Sequence, residues 1–412
     1  MGFAQGVSGL NAAAQALDVI SNNIANAQTV GFKSSSASFS DMFSGSMIGL
    51  GVQLAGVQQS FNNGMMIAGT GNINMAIMGS GFFRLADNGG KIYYSRNGEF
   101  ALNKYGEIVN KQGKHLTGYK ATGTPPMISG GTPLENITVP DTPMPGAVST
   151  EGSLGDNLPS NAEPPEVGEF DIKEPKSYNY STQFTAYDSL GNPHNIKIFY
   201  IKGKENGQWT VKCYDETAPT LIDLNNPDKN PKIFSKDITF DAYGNLYKDN
   251  TPKLPIESAK LNGANELNFD ITLFGLTQQG TEWIQSLPQT NGHAVGKFNG
   301  YSIGDNGEII TRYSNQLTQL IAQVVMADFT NTGGLQPTGD NCWIETGASG
   351  SPLIGTSGTG SFGVIRGKML EASNVDMSNE LVKMMTQQRN YQSNAQTIKT
   401  QDQLLQTLVS MR

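Results

Sequence analysis

The chain has 412 residues, enough for about two to four domains, with 28 basic against 36 acidic side chains, a formal net charge of −8 and a pI near 5.0. That balance excludes a nucleic-acid binder, which needs a basic stripe to neutralise phosphates. Charged residues make up only 16% and glycines number 48, the composition of a β-rich chain with many turns whose surfaces meet neighbours without strong ionic locks.

The first segment reads as a helix. From Phe3, apolar or small residues recur at Val7, Leu10, Ala14, Leu17, Ser21 and Ile24, alternating steps of four and three that make a heptad seam. It lacks the basic region and the continuous apolar block of a secretory signal peptide, which by itself predicts a cytoplasmic chain. No stretch reaches the run of roughly 18 apolar residues that a membrane helix needs.

The interior changes to period two. Residues 195–201 (NIKIFYI) and 208–214 (QWTVKCY) flank Asn206-Gly207, the strongest short hairpin signal. Residues 178–187 precede them through the turn Asp188-Ser189-Leu190-Gly191-Asn192, and a similar Asp-x-x-Gly-Asn turn recurs at 241–245. Leu267, Phe269, Ile271 and Leu273 alternate, and Gly-Glu turns stand at Gly98-Glu99, Gly106-Glu107 and Gly307-Glu308. Residues 320–329 (LIAQVVMADF) are rich in β-branched side chains and read as a strand. A proline-rich stretch, 122–165, reads as linker or irregular edge, and a Gly/Ser-rich stretch covers 347–363. The pattern is antiparallel β, one domain inserted in another.

The last segment returns to helix. Leu381, Met384, Gln388, Tyr391, Ala395, Ile398, Asp402, Leu405 and Val409 follow three–four spacing, broken by polar Gln388 and Asp402. Asp376 is a plausible N-cap, and Glu380 sits favourably in the first turn. The two helices would span roughly 35 Å and 50 Å.

An enzyme needs a constellation, and none is legible. His115, His194 and His293 lack metal-ligand spacing and read as surface or turn residues. The run Gly363 to Met369 is one residue short of a phosphate loop. Gly358-Thr-Gly360-Ser-Phe-Gly363 fits a dinucleotide fingerprint without the strand before it or the helix after it. Cys213 and Cys342 read as unpaired structural thiols. No catalytic, metal or cofactor residues are expected.

The segment Leu17-Asp-Val-Ile-Ser21-Asn22-Asn23-Ile24-Ala25-Asn26, continued by Ala27-Gln28-Thr29-Val30-Gly31-Phe32-Lys33, resembles the signature shared by the flagellar rod and hook axial protein family. Leu370-Glu371-Ala372-Ser373-Asn374-Val375-Asp376-Met377-Ser378 resembles its second signature, and Gln388-Arg389-Asn390-Tyr391-Gln392 follows suit. Inside lie Gly79-Ser80-Gly81-Phe82-Phe83, Tyr94-Ser95-Arg96-Asn97-Gly98 and Gly339-Asp340-Asn341-Cys342-Trp343. Gln28, where Asn is more usual, and Cys342 depart slightly from the pattern. The signature residues singled out are Ser21, Asn22, Asn23, Asn26, Thr29, Gly31, Phe32, Lys33, Asn374 and Asp376.

The resemblance implies a subunit of a bent extracellular tube that passes torque from the motor's rod to the filament. A long central β insertion favours the hook branch over the shorter distal rod subunits. A distal-rod-like or secondary-system hook subunit, and a secreted β-rich adhesin, are the rival readings. The expected fold is multi-domain and mostly antiparallel β, with two nested outer domains and α-helical coiled-coil ends.

The expected division is as follows. Residues 1–30 and 374–412 form the inner-tube helices, 31–70 and 364–373 linkers, 71–146 and 291–363 a β domain, and 147–290 an inserted outer β domain. The assembly seam would be Leu10, Leu17, Ile24, Leu381, Met384, Tyr391, Ile398 and Leu405, its helices ordering on assembly. Ser21, Asn22, Asn23 and Asn26 would end the first helix and hydrogen-bond to adjacent chains, with Gly31 supplying the turn out of it. The resemblance also implies export by the flagellar type III route, which overrides the cytoplasmic reading. The implied partners are further copies of the chain, the distal rod protein, the hook cap, the hook–filament junction protein and the export apparatus, with no membrane insertion.

Overall fold

The computed structural model describes residues 2–42, 49–123, 125–217, 233–247, 252–258, 262–286 and 288–410. The chain divides into two compact units, one of residues 1–141, 300–312 and 318–412 and one of residues 142–299 and 313–317. The fold is mostly β, with a long helix at each end of the described chain.

In unit 1, helix α1 spans Gly2–Ala25 and α2 spans Met377–Ser410. Asp376 caps α2, its Oδ1 accepting from the Asn379 backbone N–H at 3.1 Å, and Glu380 lies in the first turn. The helices run antiparallel. A Cβ placed on Gly6 would stand 3.0 Å from Ile398, one on Gly9 2.9 Å from Asn394, and Asn23 reaches Glu380 at the far end. Glycine inside a helix costs about 1 kcal/mol against alanine. Here the missing side chains are what let the backbones approach.

A two-stranded antiparallel ribbon, β1 (Ser35–Met42) and β2 (Gly51–Gln59), packs on α1. Its Ser/Gln-rich sequence hides the alternation, which is why 31–70 reads as linker. The same span supplies Met66–Ala68, paired with Met369–Glu371, while Val364–Gly367 pairs with Met75–Met78.

The main sheet of unit 1 runs, in hydrogen-bonded order, Thr318–Asp328, His115–Lys120, Phe82–Ala86, Ile92–Ser95, Cys342–Ile344 and Gln336–Gly339, all antiparallel. Residues 320–329 are thus strand almost throughout. One core gathers Phe82, Tyr94, Ala327, Phe329, Leu335 and Trp343. Phe61, just beyond β2, meets Phe82 and Trp343 edge to face at 5.3 and 5.4 Å. The Trp343 indole N–H donates to Gln59 at 2.7 Å, fastening the end of the ribbon to the sheet.

In unit 2, the strands Tyr180–Tyr187, Pro193–Lys202, Gln208–Asp215 and Phe234–Thr239 form an antiparallel sheet in sequence order. The predicted hairpin around Asn206-Gly207 is its centre. The turns at 188–192 and 241–245 close as Asp188 N–H to Asn192 C=O and Asp241 N–H to Asn245 C=O. A second sheet orders Lys253–Ser258, Leu267–Thr272, Glu151–Ser153 and Gln289–Thr290.

One core serves both sheets, with Ile196, Ile198, Tyr200, Trp209, Val211, Leu254, Ile256, Leu267, Phe269 and Ile271 all buried. Each such aliphatic or aromatic side chain contributes about 1.5–3 kcal/mol over exposure. The proline-rich stretch is more than a linker. Glu151–Ser153 pairs in parallel with Leu267–Thr272, Asn157–Pro159 in parallel with Thr277–Gln279, and Leu154 and Leu158 enter the core. Short strands whose partners lie more than a hundred residues away leave no periodicity to read.

Candidate functional site

Two features of unit 1 combine as a candidate site: the exposed faces of α1 and α2, and the polar joint that seats them.

The joint is built by the signature residues. α1 ends at Ala25, where the Asn26 side-chain amide donates to the Asn22 carbonyl at 3.0 Å and Thr29 donates to Asn26 Oδ1 at 3.1 Å. Asparagine competes for backbone groups in this way, which is why it terminates helices. Asn23 points inward. Its amide donates to the Ser35 carbonyl at 2.7 Å and to Glu380 Oε2 at 3.1 Å, and its Oδ1 accepts from Ser35 N–H at 2.9 Å. These bonds of Asn23 lie within the chain, because the ribbon returns beside the helix end. Gly31 makes the turn at φ +72°, and a Cβ there would lie 2.6 Å from the Asn97 backbone nitrogen, so a side chain is excluded twice.

Beyond that turn, Lys33 is fully buried. Its ammonium donates to Glu371 Oε1 at 2.8 Å and to the Asn62 carbonyl at 2.7 Å. Glu371 Oε1 also accepts from Gly64 N–H at 2.9 Å, and Arg96 reaches Glu371 Oε2 at 3.4 Å and the Gly79 carbonyl at 2.9 Å. Burial pulls both the Lys33 ammonium and the Arg96 guanidinium down from their usual ranges, and Glu371 opposes that pull. Asn374 completes the joint, accepting from Ser34 N–H at 2.8 Å and donating to the Ser60 and Asn62 carbonyls at 2.9 and 3.0 Å. A single carboxylate thus collects both signatures and the Tyr94-Ser-Arg96-Asn-Gly motif. Glu371 and Arg96 stood inside recognised motifs without an assigned role. The readable signal was one acid and two bases, each within a different motif.

The helix faces divide differently from the expected seams. The residues that α1 buries are Gly6, Ala13, Ala16, Ile20 and Asn23, a stripe one position away from the seam. Val7, Leu10, Ala14, Leu17 and Ile24 are half-buried, and Phe3 and Ser21 are exposed. On α2, Met384, Ala395 and Ile398 are half-buried, Ile398 standing against Gly6. Leu381, Tyr391 and Leu405 are exposed, as are Val382, Met385, Leu404 and Val409, the last at 77%. Since Gly6 lies opposite Ile398, the C-terminal turns of α2 project past the start of α1, and they carry Leu404, Leu405 and Val409.

The histidines correct the sequence reading. His115 is buried, its Nε2 2.8 Å from Asn88 Oδ1 and its Nδ1 3.4 Å from Glu107. His194 is buried among Asp188, Asp215 and Ser258. Only His293 keeps partial exposure, at the Ala147 pairing. Both buried rings found partners from distant segments, which spacing along the chain does not reveal. Ser258 and Asp215 crowd the same ring nitrogen of His194. Cys213 and Cys342 are buried free thiols. Among the described residues no helix is long and apolar enough to cross a membrane.

Four family models match the chain. They are the flagellar basal body rod protein over residues 5–33, the flagellar hook protein FlgE/F/G D1 domain over 76–155, the flagellar basal body protein FlaE D2 domain over 157–293, and the flagellar basal body rod FlgEFG protein C-terminal over 366–411. The flagellar hook protein FlgE of Escherichia coli (strain K12) is 45% identical over all of both chains. That of Salmonella typhimurium is 44% identical, again over all of both, and that of Borreliella burgdorferi is 29% identical over 99% of this chain and 98% of its own. The crystal structure of Helicobacter pylori flagellar hook protein FlgE2 shares the fold with a TM-score of 0.51 at 15% identity, covering 74% of this chain and 100% of that one.

Proposed function

Because the chain belongs to the flagellar hook protein family and is a structural subunit of the bacterial flagellar hook, we propose that α1 and α2 pack between neighbouring copies as an inner tube. Two nested β domains, of 71–146 with 291–363 and of 147–290, form its wall. The observation that carries this reading is the apolar face of α2, where Leu404 and Leu405 are 60% and 56% exposed on turns that α1 does not reach. A contact between copies that does not close into a ring propagates as a helical tube. Leu10, Leu17, Ile24, Leu381, Met384, Tyr391, Ile398 and Leu405 form the coiled-coil assembly seams, of which Ile398 already stands against Gly6 within the chain.

The helices order fully on assembly. Within one chain they bury mostly glycine and alanine against each other, and a helix pair with so little apolar contact is marginal alone. That ordering cost discourages premature polymerisation. The tube is curved and flexible and transmits torque from rod to filament. Its subunits leave by the flagellar type III apparatus and meet the distal rod protein, the hook cap and the hook–filament junction protein. Leu405→Asp tests the seam. Electron microscopy of the salted-out variant should show no tubes, with urea unfolding of the β core unchanged; tubes at the wild-type yield would refute the assignment.

A further inference from the structure

Unit 2 holds a buried ionisable cluster that assembly through the helices does not use. His194 is the second residue of the strand Pro193–Lys202 and is 1% exposed. Its Nδ1 lies 2.5 Å from Asp215 Oδ2 and its Nε2 3.6 Å from Asp188 Oδ2. The Ser258 hydroxyl, 3.2 Å from Nδ1, donates to Asp215 Oδ2.

Both carboxylates are buried and take further donors. Asp188 accepts from the backbone N–H groups of Leu190 and Asn192 and from the Asn192 amide, and Asp215 from Thr217 N–H. Those bonds favour the ionised carboxylates whatever the ring does. A neutral imidazole carries one N–H, so one of its nitrogens would present a lone pair to a buried carboxylate; the imidazolium turns an N–H toward each, hydrogen-bonding Asp215 and standing in charge contact with Asp188 at 3.6 Å.

The cluster also bridges elements. Asp215 ends a strand of the first sheet and Ser258 ends a strand of the second. The Asp188 turn packs at Gly191 against Val295 and Gly146, beside the Ala147–His293 pairing where the chain enters and leaves this unit.

We propose that His194 is held as an imidazolium ion that fixes the Asp215 carboxylate, and through that carboxylate the Ser258 hydroxyl of the second sheet, at that end of unit 2. From the turn, the charged group facing the ring is Asp188; from the strand Gln208–Asp215 it is Asp215; from Lys253–Ser258 it is the uncharged Ser258 hydroxyl. The neighbouring Lys197 and Glu216 pair with each other at 3.1 Å nearer the surface. Burial works against the charged ring, but the hydrogen bond and charge of Asp215, then those of Asp188, outweigh it, and the net displacement is upward from 6.5. A folded pKa above the unfolded one gives stability that is complete below about pH 6.5 and is lost as pH rises through the folded value. Each unit of difference is a tenfold fall in the folded-to-unfolded ratio.

The test uses the full chain carrying Trp343→Phe, so that fluorescence comes from Trp209 and Trp283, both in unit 2. Urea midpoints are measured from about pH 6 to about pH 10, a span that brackets titration of a histidine raised from its usual pKa. The parent midpoint should fall with rising pH, and His194→Asn should abolish that fall. Asp188→Asn, which keeps the ring, should move the fall to lower pH. Identical pH profiles in parent and His194→Asn would overturn the proposal. So would an unmoved profile in Asp188→Asn, which decides alone if His194→Asn does not fold.

Discussion

The Lys33 ammonium lies 2.8 Å from the Glu371 carboxylate, 338 residues along the chain, with neither side chain exposed. The segment leaving α1 and the segment entering α2 are thereby held to one another and, through Arg96, to the main sheet. Removing one partner of a buried pair strands the other. Glu371→Ala is expected to destabilise unit 1 by about 3–5 kcal/mol, read from urea unfolding of the monomer. Lys111→Ala, which breaks the surface pair of exposed Lys111 with half-buried Glu99, should cost less than about 1 kcal/mol.

Asn23 substitutes for a stretch of backbone pairing, bonding both the N–H and the C=O of Ser35 while reaching Glu380. Asn23→Ala leaves those groups without partners, at a cost of about 1–3 kcal/mol. Hydrogen exchange should quicken at Ser35 and through the first turn of α2, while the core strand Gln208–Asp215 of the other unit keeps its protection.

Burial alone pushes the Cys213 thiol up to about 12, and burial, chief among its causes, raises Cys342 as well. Thiolate is the reactive form. Neither cysteine should react with a thiol reagent in native protein near pH 8, and both should react once the chain is unfolded. Prompt native labelling at Cys213 would contradict its burial.

If the terminal helices order fully only on assembly, limited proteolysis of the monomer removes about the first 30 and the last 40 residues, with boundaries good to about 2–4 residues. A stable β core should remain. Termini that resist as long as the core would sink the ordering step, though not the tube.

The helices were legible because their periodicity is local: α1 and α2 repeat every three or four residues, and Asp376 marks the start of α2. The hairpin at Asn206-Gly207 and the alternation of Leu267, Phe269 and Ile271 were legible for the same reason. Leu154 and Leu158 were hidden in a proline-rich stretch, because their partners lie far along the chain. His194 was read as a surface residue for want of nearby ligands, and the fold supplied Asp215 and Ser258 from other strands.

By itself, then, the sequence determined that this is a mostly β chain with helical ends bearing the axial-protein signatures, since periodicity and motif order are written in adjacent residues. Tertiary structure decided what those signatures do. Asn23, Lys33, Arg96, Glu371 and Asn374 come together in one buried joint, because the desolvation of a charge is offset only by partners that folding brings from hundreds of residues away. It also decided which face each helix keeps for itself. Close backbone approach at Gly6 and Gly9 takes the small-residue stripe and leaves Leu404, Leu405 and Val409 on the surface.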